Sequence, residues 1–204
     1  MKKKIKISNG SFFKKEDYST YVGVQKRCTW KKRYKERPRK EYETVFAAIE
    51  RFLPAFDENN KKEGICLGTR NNHEREVFRS LFSSDWKIYS NDIWEDSGAD
   101  FVCDFSKFPR DWQNRWNFIY TNSTDHAIDA NDAFNEWLRV SAPGGVLALG
   151  FCPINTADNL NEYGCSSFDF GDLDLFFYAP NDNFTMLAKI AEGAQYIYYI
   201  IRKK

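Results

Sequence analysis

The sequence has little histidine: His73 and His126 are the only two. Its five cysteines, at 28, 66, 103, 152 and 165, contain no Cys-x-x-Cys pair, and neither histidine lies close to one of them. These absences exclude the usual zinc spacings, so no metal site is expected. An odd number of scattered cysteines also argues for reduced thiols, several of them in the core. No apolar run reaches eighteen residues, and the basic start leads into polar sequence instead of a signal peptide. The expectation is a soluble, cytoplasmic protein without membrane contact. No internal repeat is visible.

What is present suits one domain with an extension. The chain has 204 residues, 42% hydrophobic and 17% aromatic, which is ample for a buried core. Its net charge of +1 hides a division. Residues 1–40 hold fifteen Lys/Arg against Glu16, Asp17 and Glu36, whereas residues 41–204 carry eleven more acids than bases. The densest basic stretch, "KRCTWKKRYKERPRK", includes Trp30 and Tyr34. Cations neutralise phosphates and rings stack on bases, so an arm over residues 1–40 could meet nucleic acid or another acidic partner. A solvated arm, or one lying on its own acidic body, fits the same composition.

From Glu41 the pattern becomes that of a folded body. Tyr42, Val45, Phe46, Ile49 and Phe52 share a helical face, which Pro54 limits. "GICLG", "WKIYS", "ADFVCDF", "WNFIYTNS" and "VLALGF" read as short strands, with "PGG" turning into the last. "HEREVFRSLF" and "DANDAFNEWLRV" read as helices between them. Short apolar strands alternating with helices predict an α/β, Rossmann-like fold: a mostly parallel sheet with helices on both faces. The end of the chain differs. "FTMLAKI" and "YIYYIIRKK" flank a Gly-containing turn, which predicts an antiparallel C-terminal edge. "GDLDLFFYA" before them is helix or strand, and a short helix is the favoured reading.

In such a sheet, ligands sit beyond the carboxyl ends of the strands, at the switch in strand order. The first strand–turn–helix, "GICLGTRNNHE", is the natural place. Gly68 permits close backbone approach, Asn71 is expected to cap the helix, and Glu74 completes a capping box. The turn carries neither Gly-x-Gly-x-x-Gly nor Gly-Lys-Ser/Thr, so it is neither a dinucleotide fingerprint nor a P-loop. Asp92 ends the second strand, where a carboxylate can accept ribose hydroxyls; Glu95 and Asp96 are rivals. Asp104 closes the third and could receive an adenine amino group.

The order of these pieces resembles the class I S-adenosylmethionine-dependent methyltransferases over residues 41–204. The likeness is clearest in "GICLGTRNNHEREVF", "ADFVCDFSKFP", "FIYTNSTDHAIDANDAFNEWLRV" and "APGGVLALGF". It implies a methyltransferase with S-adenosylmethionine as cofactor. Carried over by position, Gly68, Thr69 and Arg70 line the methionine end, Asp92 binds ribose, and Asp104 and Phe105 bracket adenine. Asn122, Ser123, Asp125 and His126 face the methyl group and substrate. The family's first motif is an acid followed by three alternating glycines. Here Cys66 stands for the acid, and Arg70 and Asn72 stand at glycine positions. Asn72 suits a left-handed backbone. Arg70 either meets the cofactor's carboxylate or blocks the site.

Methyl transfer asks mainly for alignment, with a base only where the acceptor must lose a proton. His126 is the candidate base, or a loop residue bonding a carbonyl; Asp125 and Asn122 would position the acceptor. "TNSTDH" lacks the prolines and terminal ring of amino-methylating nucleic-acid enzymes, and "FCP" is not a cytosine-C5 nucleophile. The expected acceptor is a small molecule or a polymer end. The alternative is a non-catalytic module of the same fold, binding nucleic acid or a larger assembly through its basic arm.

Overall fold

The computed structural model describes residues 10–11, 17–32, 34, 36–56, 61–152, 166–168, 170–192 and 196–204. A short strand, β1 (Gly10–Ser11), precedes two helices, α1 (Tyr18–Lys32) and α2 (Arg39–Phe52). Alternation then begins: β2 (Glu63–Leu67), α3 (His73–Leu81), β3 (Lys87–Asp92), β4 (Phe101–Val102) and β5 (Trp116–Thr121). Next come α4 (Ala130–Val140), β6 (Ser141–Phe151), β7 (Ser166–Ser167) and α5 (Phe170–Tyr178). The hairpin β8 (Phe184–Glu192) and β9 (Tyr196–Lys203) completes the chain.

Seven strands form one sheet in the order β4-β3-β2-β5-β6-β9-β8, and β1 pairs with β7 separately. The first five are parallel; β9 runs antiparallel to β6, and β8 to β9. The α/β reading therefore holds, including the antiparallel C-terminal edge. Among the described residues no helix is long and apolar enough to cross a membrane.

The two faces of the sheet are covered by different helices. Tyr42, Val45 and Ile49 of α2 and Val77 and Phe78 of α3 pack on Cys66, Phe118, Tyr120 and Ala148. Ala133, Phe134 and Trp137 of α4 and Phe177 of α5 pack on Ile65, Ile119, Leu147 and Leu149 on the other side. Alternate strand residues thus serve opposite cores, as period-two side chains must. Register is fixed sterically as well. Gly64 pairs with Phe118, and a Cβ on Gly64 would lie 2.0 Å from that ring. "PGG" does not precede the fifth parallel strand as a separate turn. It lies inside β6, where pairing jumps from Trp116↔Ser141 to Phe118↔Val146, and Gly144 takes φ 75°. Of "ADFVCDF", only Phe101 and Val102 pair as strand.

The turn between β2 and α3 departs from the expected capping box. The helix begins at His73, and its cap is Asn72, with φ 61° and no side-chain capping bond. The Asn72 side chain is used elsewhere: its amide donates to Ser97 O (3.0 Å) and its Oδ1 accepts from Thr69 Oγ1 (3.1 Å). Asn71 Oδ1 reaches only His73 N, at 3.3 Å, and Glu74 points to Asn122 instead. What replaces the box is a backbone pattern. Gly68 (φ 65°), Arg70 (φ 55°) and Asn72 (φ 61°) are all left-handed, at every second position.

Only glycine takes that conformation freely, and asparagine is the next most tolerant. Arg70 has neither advantage, and a left-handed L-residue costs roughly 1–2 kcal/mol. Arg70→Gly should therefore stabilise the fold by about 1 kcal/mol. For a chain of this size that is a rise in Tm of about 2–4 °C. Thermal unfolding checks it; a fall in Tm would mean that the Arg70 side chain holds the turn.

Candidate functional site

The strand order reverses at β2, between β3 and β5, so the crevice lies beyond Leu67 and Thr121. Gly68 and Ser123 form its floor. Ser123 Oγ donates to Gly68 O at 3.3 Å, and a Cβ on Gly68 would fall 2.8 Å from the Ser123 side chain. Gly68, Arg70, Asp92, Asp104, Phe105, Ser123 and His126 share one cavity. Thr69, Asn72, Asn122 and Asp125 do not line it. Thr69 is buried with its amide on Asn91 O (3.1 Å), so it and Asn72 hold the turn from behind.

Asp92 ties that turn to the neighbouring strand. Its Oδ2 accepts from Arg70 N at 2.8 Å, and its Oδ1 accepts from Trp94 N at 2.9 Å. Burial raises its pKa, while these backbone N–H groups and the Arg70 charge pull it down. A carboxylate has about four lone-pair sites, so two backbone bonds leave room for ligand hydroxyls. Glu95, one rival, is exposed and paired with Lys26 at 2.6 Å; Asp96, the other, is exposed too. Asp104 is buried, its Oδ1 accepting from Ser106 N (2.8 Å) and its Oδ2 from the Tyr18 hydroxyl (2.9 Å). Phe105 lies beside it, its ring 5.6 Å from that of Trp137.

The "NSTDH" segment leaves β5 and makes a single 3-10 turn over Thr124–His126. Asn122 donates to Tyr120 OH (3.2 Å) and Glu74 Oε1 (3.5 Å). Asp125 is buried, 3.8 Å from His126 Nε2. His126 Nδ1 lies 2.9 Å from Gln25 Oε1. A carbonyl oxygen only accepts, so neutral His126 carries its proton on Nδ1 and keeps Nε2 as the basic nitrogen.

Four lining residues come from outside the body: Tyr21, Gln25, Cys28 and Thr29 of α1. This basic segment lays one helical stripe across the crevice, with Tyr21, Val24, Gln25, Cys28 and Thr29 buried. The ammonium of Lys107 sits 3.9 Å from the Tyr18 ring centre, on the same seam. The spacing of Tyr18, Tyr21, Gln25 and Cys28 was the available signal, masked by a basic composition. Residues 1–9, 12–16, 33 and 35 of the segment lie outside the described residues. With α1 in place, the space beneath it is about 40 Å³. That is room for a few waters at ~10–15 Å³ each. A nucleoside is larger than that space.

No family model matches the sequence, and no curated protein matches it. Solved structures do. One is 1,6-didemethyltoxoflavin-N1-methyltransferase of Burkholderia thailandensis, with bound 1,6-didemethyltoxoflavin and S-adenosylhomocysteine. It is 13% identical, at a TM-score of 0.64 over 97% of this chain and 94% of that one. The N-methyltransferase NodS of Bradyrhizobium japonicum, in complex with S-adenosylhomocysteine, is 10% identical. Its TM-score is 0.61 over 88% of this chain and 98% of that one. A SAM-dependent methyltransferase of Aquifex aeolicus is 12% identical, at 0.57 over 83% and 100%. At such identities the likeness is one of architecture: this chain shares the Rossmann-like fold of these methyltransferases.

Proposed function

We propose that this chain is an S-adenosylmethionine-dependent methyltransferase, residues 41–204 forming the transferase body and α1 its roof. The observation that carries the reading is the turn after β2. It keeps three alternate left-handed residues, two of them not glycine, with Asp92 holding the turn by its backbone. Nothing in helix entry requires that pattern. It brings the end of β2 and the N-terminus of α3 against a shared floor, an arrangement suited to a charged nucleoside ligand.

In this reading Gly68, Thr69, Arg70 and Asn72 shape the methionine end, Asp92 takes the ribose hydroxyls, and Asp104 and Phe105 take adenine. Ser123 closes the floor. Bound S-adenosylmethionine supplies a methyl group already activated by its sulfonium. The protein's task is then to orient an acceptor and exclude water. Asn122 and Asp125 would orient it, and His126 Nε2 would hold a proton that has to leave. The acceptor is a small molecule or a polymer end. A second reading, nucleic-acid contact, is favoured by the exposed residues of α1 and of the turn position after it. There Trp30 (54% exposed) and Tyr34 (83% exposed) stand among Arg27, Lys31 and Lys32.

Calorimetry with S-adenosylhomocysteine should show binding to the full chain, weakened at least tenfold in Asp92→Ala. Losing hydrogen bonds to a charged partner costs about 1.5–3 kcal/mol each. No heat and no thermal shift at millimolar ligand would sink the reading. Tyr18→Phe removes the hydroxyl that occupies Asp104, so its affinity should rise several-fold over wild type; weaker binding would mean that Tyr18 belongs to the bound state. With an acceptor in hand, His126→Ala should slow transfer by ~100-fold at unchanged Tm if it is the base. If RNA is bound through α1, affinity should drop steeply with added salt and fall again in Trp30→Ala.

A further inference from the structure

Helix α1 closes the crevice through a small seam. Of its five buried residues, Tyr21, Val24 and Cys28 are apolar, while Gln25 and Thr29 are polar. The apolar cluster on this seam consists of buried Tyr21 and Ile128, with Tyr18, Val22 and Ile93 partly buried around them. The cores on the two faces of the sheet are far larger. The polar contacts of the seam engage groups of the site itself. The Tyr18 hydroxyl donates to Asp104 Oδ2 at 2.9 Å, and Gln25 Oε1 lies 2.9 Å from His126 Nδ1. About 40 Å³ remains beneath the helix. In this position α1 shuts out a nucleoside, and a weak seam is all that keeps it there.

The same helix carries the chemistry of a single-strand binder. Lys26, Arg27, Lys31 and Lys32 are its cations. Trp30 is exposed within it, and Tyr34 just beyond its end. Cations neutralise phosphates, and rings stack on bases of any sequence. An acidic protein surface would use the charges and leave the rings idle. Docking on the body hides part of this chemistry. Tyr21 is buried, its ring 5.7 Å from that of partly buried Tyr18, and Lys26 is held by Glu95 at 2.6 Å. The released helix therefore offers a strand more rings and one more cation than the docked helix does. A ligand that binds one of two states better shifts the protein towards that state. We propose that single-stranded nucleic acid is the partner of α1 and that, by drawing the helix off the crevice, it opens the site to the nucleoside ligand. The two ligands then bind cooperatively, each tightening the other by the same factor.

For its second ligand the inference rests on the methyltransferase reading, and two readouts keep the failures apart. The first is the affinity of the full chain for S-adenosylhomocysteine at low salt, alone and with a short oligouridylate or heparin present. The second is alkylation of Cys28 by iodoacetamide, read by peptide mass, because this thiol is buried while α1 is docked. Oligouridylate should speed Cys28 alkylation and raise S-adenosylhomocysteine affinity about fivefold or more. Heparin, which has the charge and no bases, should do markedly less. Val24 is buried in the seam and does not line the cavity. Val24→Asp should therefore loosen the roof, raise S-adenosylhomocysteine affinity by itself and leave oligouridylate little to add. Unchanged or lower S-adenosylhomocysteine affinity with oligouridylate bound would overturn the inference. So would unchanged or slower Cys28 alkylation, an equal effect of heparin, or weaker S-adenosylhomocysteine binding in Val24→Asp. If oligouridylate speeds alkylation but neither protein binds S-adenosylhomocysteine, the methyltransferase reading falls, and the coupling with it, while the contact between strand and helix stands.

Discussion

The bond from Arg70 N to Asp92 Oδ2, 2.8 Å long, is the contact on which the site depends. It links the first turn to the end of the next strand, and it fixes the backbone where the side chain is least suited to it. Arg70 is left-handed at a cost a glycine would avoid. The charge-assisted bond to a buried carboxylate offsets that cost, and Thr69 N on Asn91 O secures the same segment one residue earlier. Asp92 thus does two things with one carboxylate. It builds the turn, and it lines the cavity that the turn frames. The two roles share lone pairs, so the ligand and the fold are coupled at this residue.

Helix α1 adds a second constraint. Its buried stripe lies over the crevice through two polar contacts, Tyr18 on Asp104 and Gln25 on His126, and one cation–ring contact from Lys107. Lys26 adds an exposed pair with Glu95, which contributes little. The basic segment therefore lies against acidic groups of the body at the site itself. Both polar contacts use groups that a bound nucleoside and acceptor would use in the proposed function. Closure of α1 and occupancy of the crevice are alternatives for those atoms.

Most of the architecture was legible because it rests on periodicity. Val77 and Phe78 in α3, or Ala133, Phe134 and Trp137 in α4, repeat with the helix, and the strand runs are short, apolar and bounded. The left-handed preference of Asn72 was legible too, from its residue type. The capping box was not what formed. The Asn71–Glu74 spacing fits one, but Asn72 and Thr69 have stronger uses for their side chains, and Asn122 claims Glu74. The α1 roof was hidden because Lys26, Arg27, Lys31 and Lys32 make the helix read as a basic segment, while two of its five buried residues, Gln25 and Thr29, are polar. The sites of Thr69 and Asn72 behind the cavity were likewise beyond the sequence, since motif position says which turn a residue is in and not which way its side chain faces.

A relay of hydrogen bonds fixes the orientation of Asn122, which no single contact determines. Glu41 Oε1 accepts from Arg37 at 3.2 Å and from the Tyr198 hydroxyl at 2.7 Å. Burial pushes the pKa values of Tyr198 and Tyr120 well up, so both phenols keep their protons. Tyr198 spends its hydrogen on Glu41 and can only accept from Tyr120, 3.0 Å away. Tyr120, having donated, can only accept in turn, so the NH₂ end of Asn122 must face it. The second amide hydrogen goes to Glu74 Oε1. Both donors of Asn122 are then committed, and its carbonyl oxygen is left towards Ser123 Oγ, 3.3 Å away at the cavity floor. A chain of bonds that starts at Arg37, stacked 3.9 Å over Tyr196, thereby turns the carbonyl oxygen of Asn122, and not its amide, towards Ser123.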